Sequence, residues 1–146
     1  MYQHILISTD GSDVAQKAVD HGLTLAKDLG AKVTIITVTE RIPVYAGFDG
    51  GLSAVAYDDY GAGQKEAAGK VLAAAKEAAS RVGVTAETAL IENALPAEAI
   101  LETAKARNCS LIAMASHGRR GLGRLFLGSV TSEVVAHSSV PVLVVR

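Results

Sequence analysis

Two polar stretches of this 146-residue chain combine residue types that could do chemistry. The first is Ser8-Thr9-Asp10-Gly11-Ser12. The second reads Ala115-Ser116-His117-Gly118-Arg119-Arg120-Gly121-Leu122-Gly123-Arg124-Leu125-Phe126-Leu127-Gly128-Ser129-Val130-Thr131. Glycines let backbone N–H groups approach an anion without obstruction from a Cβ atom. A helix opening near Ser129 adds unpaired N–H groups and a favourable dipole. Ser129 and Thr131 supply hydroxyl donors, and Arg119, Arg120 and Arg124 supply positive charge. Together these make a phosphate cradle. A plainer account uses the same residues: Gly-rich turns join strands to helices with no ligand, Ser at a helix start caps it, and loop arginines are solvated. Both accounts stand at the level of these two loops.

Familiar phosphate signatures are incomplete here. Gly123 to Gly128 has P-loop spacing, but Ser129 stands where Lys is required, and Phe126 fills the last position of a Gly-x-Gly-x-x-Gly run begun at Gly121. Neither a P-loop ATPase nor a dinucleotide enzyme is supported. Asp10 suits a ribose contact or a magnesium ligand, and equally suits the organisation of the turn before a helix capped by Ser12. His117 could act as a base or a phosphate donor, but no second acidic residue accompanies it in its loop. Hydrolysis needs a positioned water, a base and charge stabilisation, so no catalytic residue is assigned. Cys109 precedes an apolar run and reads as structural. His4, His21 and His137 have no metal-ligand spacing.

The elements that must position these loops follow from periodicity. Ile5-Leu6-Ile7 is a buried-strand run. A helix follows from Ser12, with Asp13 in its first turn and Ala15, Ala18, Gly22, Leu25 and Leu29 on its apolar face, stopped by Gly30. Residues 33–38 form a β-branched second strand. A second helix spans about Tyr60 to Arg81, with Gln64, Ala68, Val71, Ala75, Ala78 and Val82 on one face. Thr85–Ile91 alternates, as in an edge strand. Pro96 opens a third helix, where its missing N–H costs nothing. Residues 111–115 form a fourth strand, Ser129–His137 a short helix, and Val142–Val145 a last strand. Residues 39–59 show no clear periodicity and are long for a connection; a lid, a partner surface and a plain excursion all fit.

Strand–helix alternation throughout predicts one domain, residues 1–146, of α/β class: an open, doubly wound, mainly parallel sheet with helices on both faces. Ligands of such sheets bind beyond the strand C-termini where strand order reverses, so the two polar loops form one site if both flank that point. Lys plus Arg number 14 and Asp plus Glu 15. That balance excludes a general nucleic-acid binder. The apolar runs fall far short of the ~20 residues of a membrane span. No targeting segment is visible at the N-terminus, and the single cysteine allows no internal disulfide. Cytoplasm is the expected location.

On these residues the chain resembles the universal stress protein family. That family's nucleotide motif is Gly, two residues, Gly, nine residues, Gly, then Ser or Thr. Gly118, nine intervening residues, Gly128 and Ser129 match it, while Ala115 stands where the first glycine belongs. The similarity runs over essentially the whole chain, including residues 8–12, Pro96-Ala97-Glu98-Ala99-Ile100 and Pro141-Val142-Leu143-Val144-Val145. It implies five strands in order 3-2-1-4-5 and binding of an adenine nucleotide, ATP, AMP or ADP, with Mg an open accompaniment of the phosphates. Carried over, Asp10 lies by the adenosine with Ser8 and Thr9 near it, and Val38 contributes to the adenine pocket. Met114 and Ala115 line the nucleoside; Gly118, Gly128, Ser129 and Val130 hold the phosphates with Thr131 behind. His117 and Arg119 complete the set. The resemblance also implies a homodimer through Val142–Val145, since an exposed apolar edge invites pairing.

Ala115 sets a fork. If its position needs φ > 0, alanine costs about 1 kcal/mol or more; if it needs only close approach, a methyl narrows the pocket. The leading function is a nucleotide-binding stress or regulatory module with slow or no hydrolysis. The alternatives are a member acting through protein contacts alone and a weak ATPase or autophosphorylating protein using Ser129 or Thr131. A pyrophosphatase of the related fold would need a Ser-Gly-Gly-type loop after the first strand. A receiver domain would need an Asp after strand three and a Lys after strand five, and the sequence has neither.

Overall fold

Three consecutive residues, Ile5, Leu6 and Ile7, expose no surface at all. Only a strand covered on both faces can hide such a run. They form the centre of β1 (His4–Ser8), the middle strand of a five-stranded sheet. The computed structural model describes residues 1–40, 54–119 and 126–146, with the backbone alone for 54–59. After β1 come α1 (Asp13–Leu29), β2 (Lys32–Val38), α2 (Ala54–Val82), β3 (Ala86–Ile91), α3 (Pro96–Ala106), β4 (Leu111–Ala115), α4 (Ser129–His137) and β5 (Val142–Val145). Strand order is β3-β2-β1-β4-β5 and every neighbouring pair is parallel.

Alternation within the strands splits the core in two. Ile5, Ile7, Val33, Ile35 and Ala113 pack with Val19 and Leu23 of α1 and Leu72 and Ala75 of α2. Leu6, Ile36, Ile112 and Met114 face the other way, onto Ile100 of α3 and Val134 of α4. Right-handed crossovers require this division: β1→β2→β3 moves one way along the sheet, and β4→β5 moves the other. The chain therefore diverges after β1 and β4, and the two polar loops flank the reversal.

Local signals set the helix ends. The Ser12 hydroxyl accepts from Ala15 N (3.3 Å) and caps α1, while Gly30, at φ 63°, ends it with its N–H on the Ala26 and Lys27 carbonyls. Pro96 is the first residue of α3. β3 is an edge strand, as its alternation predicts. Cys109 is buried, and burial raises its thiol pKa above 9.0 against the lowering influence of Arg107, so it stays protonated at neutral pH.

Three features differ from the sequence expectation. Helix α2 begins at Ala54 rather than near Tyr60, so the last six residues of the 39–59 stretch are helical. The buried face of α2 turns slightly to include Leu72 and Ala79. Leu29 is 45% exposed, because it lies in the last turn of α1 where Gly30 reverses the chain. Of the rest of the aperiodic stretch, Thr39 and Glu40 are described and residues 41–53 lie outside the described residues.

Small residues let α1 sit low on the sheet. A Cβ placed on Gly22 would meet Ile7 Cδ1 at 2.7 Å and Ile7 Cγ1 at 3.0 Å, whereas one on Gly69 of α2 would meet nothing within 4 Å. We expect Gly69→Ala to stabilise the protein by about 0.5–1 kcal/mol through helix propensity. Gly22→Ala has the same local gain but overpacks the core, and should fall about 1–3 kcal/mol below it. Urea denaturation of the two variants checks this; equal stabilities would show that α1 can lift at no cost.

Candidate functional site

The loops after β1 and β4 are tied together by one carboxylate. Asp10 Oδ1 accepts from Ser12 N at 2.9 Å, and Oδ2 accepts from Arg119 N at 3.1 Å. The first bond shapes the turn into α1; the second fastens the β4 loop across the reversal. Gly118 fits beneath, since a Cβ there would sit 2.8 Å from Asp10 Oδ2. Thr9 is buried, with its hydroxyl accepting from Gly11 N at 3.2 Å.

The return into α4 is equally close. Gly128 N donates to the Ser116 carbonyl at 2.7 Å. A Cβ on Gly128 would meet the His117 Cα at 3.1 Å, a backbone atom that cannot step aside. Thr131, buried behind the first turn, donates its hydroxyl to the Ala115 carbonyl at 2.8 Å. The His117 ring shares a 3.0 Å hydrogen bond with the Ser116 hydroxyl through Nδ1.

Helix α4 starts without a side-chain cap: Gly128 is the N-cap, and Ser129 is the first helical residue. The serine therefore does not cap the helix, as the plainer account of the loop would have it. The first N–H groups of any helix lack an intrahelical partner. Among the described residues those of Ser129, Val130 and Thr131 find none elsewhere.

These features border a cleft of about 810 Å³ at the C-terminal ends of the strands. It brings together Ser8, Thr9, Asp10, Val38, Met114, Ala115, His117, Gly118, Arg119, Gly128, Ser129, Val130 and Thr131. Of the remaining loop arginines, Arg120 and Arg124 lie outside the described residues, as do Gly121 and Gly123. Ala115 is an ordinary strand residue, paired in register with Val145 and not at positive φ. Its methyl packs with Ala15 and Ala18 of α1. The strained branch of the fork at this position therefore does not apply.

The cleft has a wall that the motifs do not announce. Tyr60, Gln64, Ala67, Ala68 and Val71 of α2 line it, together with Thr39 and Glu40 beyond β2 and Pro96 and Ile100 of α3. The handedness of the β2–α2–β3 crossover is the signal that could place α2 beside this site; no local motif does. Thr39 fastens the corner, donating its N–H to the Ile91 carbonyl (2.9 Å). It also accepts from Asn93 N on its hydroxyl (3.3 Å) and from Ala94 N on its carbonyl (3.2 Å).

The family model described as "Universal stress protein family" matches residues 1–146, and the chain belongs to that family. It is 37% identical over 152 residues to universal stress protein YxiE of Bacillus subtilis, covering all of both chains. A solved structure of hypothetical protein MJ0577 superposes with a TM-score of 0.81 at 28% identity, covering 99% of this chain and 96% of that one. A universal stress protein solved in complex with cAMP superposes with a TM-score of 0.69 at 27% identity, covering 99% and 97%. No helix among the described residues is long and apolar enough to cross a membrane.

If the carboxylate and the threonine hydroxyl hold this corner, removing either should loosen it. We expect Asp10→Ala and Thr131→Val each to cost about 1–3 kcal/mol, since each leaves backbone groups without their partner. Chemical denaturation measures this. A loss confined to Thr131→Val would mean that water replaces the exposed Asp10 carboxylate at no cost.

Proposed function

We propose that the cleft binds an adenine nucleotide, ATP, AMP or ADP, and that the protein is a single-domain regulatory or stress-response module whose output is its nucleotide state. The observation that carries this proposal is the uncapped start of α4, where three backbone N–H groups lack a partner among the described residues at the edge of the cleft. An anionic group satisfies such N–H groups and meets the helix dipole favourably. The volume, about 810 Å³, lies within the range of about 300–1,000 Å³ of small-molecule sites. The cAMP complex of a 27% identical relative supports the adenine class.

The roles divide along the cleft. Ser129, Val130 and Thr131 offer N–H groups to the phosphates, and Gly118 and Gly128 let the loop backbone close on Asp10 and His117 beside them. Arg119 adds charge. Val38 and Met114 give an apolar surface for the base, and Ser8, Thr9 and Asp10 border the sugar. Ala115 lines the nucleoside beside Met114, and its methyl also joins the α1 packing. Any Mg²⁺ arrives with the phosphates, as this ion usually does. Hydrolysis is slow or absent in this proposal, because no acidic residue accompanies His117 in its loop to make it a base. A cytoplasmic location fits such a module.

We also propose a homodimer through β5. This strand is an edge of the sheet, and Val142, Leu143 and Val144 remain partly exposed. A two-fold pairing of identical edges closes it. Sedimentation at micromolar concentration should give a dimer; a monomer would overturn this part.

The nucleotide proposal is tested first on the purified protein, by denaturing it and identifying any released nucleotide by chromatography and mass spectrometry. Calorimetry with ATP and AMP follows. Ser129→Pro is the informative variant: proline is favoured at the first helical position, so α4 persists while one N–H is deleted. We expect Ser129→Pro to bind ATP about ten-fold more weakly, the size of a charge-assisted hydrogen bond, with Ser129→Ala separating the hydroxyl from the N–H. The absence of both a released nucleotide and any calorimetric heat would sink the proposal.

A further inference from the structure

The wall opposite the glycine loop carries an aromatic ring that nothing so far uses. Two contacts locate the first half of α2 relative to the sheet, whose core the helix joins through Leu72 and Ala75. Near its middle, Val71 lies against the β1 loop, where a Cβ on Gly11 would stand 2.6 Å from Val71 Cγ2. Two turns nearer its start, Lys65 Nζ lies 4.0 Å from Glu92 Oε1. Glu92 adjoins Asn93, whose N–H donates to Thr39 Oγ1 at 3.3 Å. This turn of α2 therefore stands at the end of β2, just past Val38, on the side of the cleft assigned to the base.

Tyr60 and Gln64 project from the same face of that helix, one turn apart. Gln64 Nε2 donates to the Tyr60 hydroxyl at 3.0 Å. Both residues line the cleft, yet Tyr60 is 50% exposed. An aromatic ring tethered through its hydroxyl, with half its surface open beside a cleft, is held in place without being buried. The next turn presents the small side chains of Ala67 and Ala68 to the cleft. The other aromatic residue among the described lining, Phe126, sits beside Gly128 at the phosphate end.

We propose that Tyr60 covers the outer face of the nucleotide base, sandwiching it against Val38 and Met114, and that Gln64 is the positioning residue that holds the ring. This rests on the nucleotide-binding proposal. Stacking on an aromatic ring tolerates any base, so Tyr60 supplies affinity for the base rather than a choice among bases.

The chain has no tryptophan, so Tyr60→Trp introduces a single reporter. Its emission should change on addition of AMP and stay constant on addition of inorganic tripolyphosphate, which has no base. Calorimetry should give Tyr60→Ala an AMP affinity about ten-fold below wild type, within the range of one base–aromatic stack. Tyr60→Phe and Gln64→Leu each keep the ring and break its tether, so both should fall together between wild type and Tyr60→Ala. Thermal melting of each variant separates this from a loss of fold. If wild type binds AMP and Tyr60→Ala binds it within two-fold of wild type, or if the tryptophan fails to respond to AMP, Tyr60 is not a base contact. Failure of wild type to bind any adenine nucleotide instead overturns the proposed function on which this rests.

Discussion

The double-sided burial of β1 is the constraint from which the other features descend. Ile5 and Ile7 need helices on one face and Leu6 needs helices on the other. A chain of right-handed crossovers can cover both faces only by building outward from β1 in two directions. That reversal parts the β1 loop from the β4 loop and opens a cleft between them. The small residues of α1 belong to the same requirement, because Gly22 lets that helix approach Ile7 closely.

Much of the fold was legible because its signals are local. Ser12 and Gly30 mark the ends of α1, Pro96 opens α3, and β-branched runs mark the inner strands. The start of α2 was not legible. Its first residues, Ala54 to Asp59, carry no apolar stripe that would set a period, and the helix was recognisable only where Gln64, Ala68 and Val71 begin to repeat. Leu29 misled for a related reason: periodicity gives the face of a side chain but not whether the neighbouring element extends far enough to cover it.

The candidate site was legible in part. The two polar loops announced themselves by glycine, hydroxyl and charge, and the cleft is lined by Ser8, Thr9 and Asp10 of the first and by His117, Gly118, Arg119, Gly128, Ser129, Val130 and Thr131 of the second. The double duty of Asp10, which joins the loops through Ser12 N and Arg119 N, cannot be read from spacing, because its second partner lies 109 positions away. Nor can the packing of the Ala115 methyl, which depends on α1 offering Ala15 and Ala18 to it. The α2 wall is wholly a product of tertiary packing: Tyr60 and Gln64 belong to no motif and meet the cleft only because the crossover brings them there.

The triple fastening at Thr39 has a consequence for how this fold tolerates change. Its N–H, hydroxyl and carbonyl all bind the Ile91–Ala94 corner, so the end of β2 is secured before the chain continues. The cost of closing a loop rises only with the logarithm of its length, about 0.6 kcal/mol per doubling. A connection leaving from so firm an anchorage can be lengthened, shortened or exchanged with little effect on the register of β2 with β3. Diversity among descendants of this architecture has a natural place to accumulate in the stretch beyond Glu40.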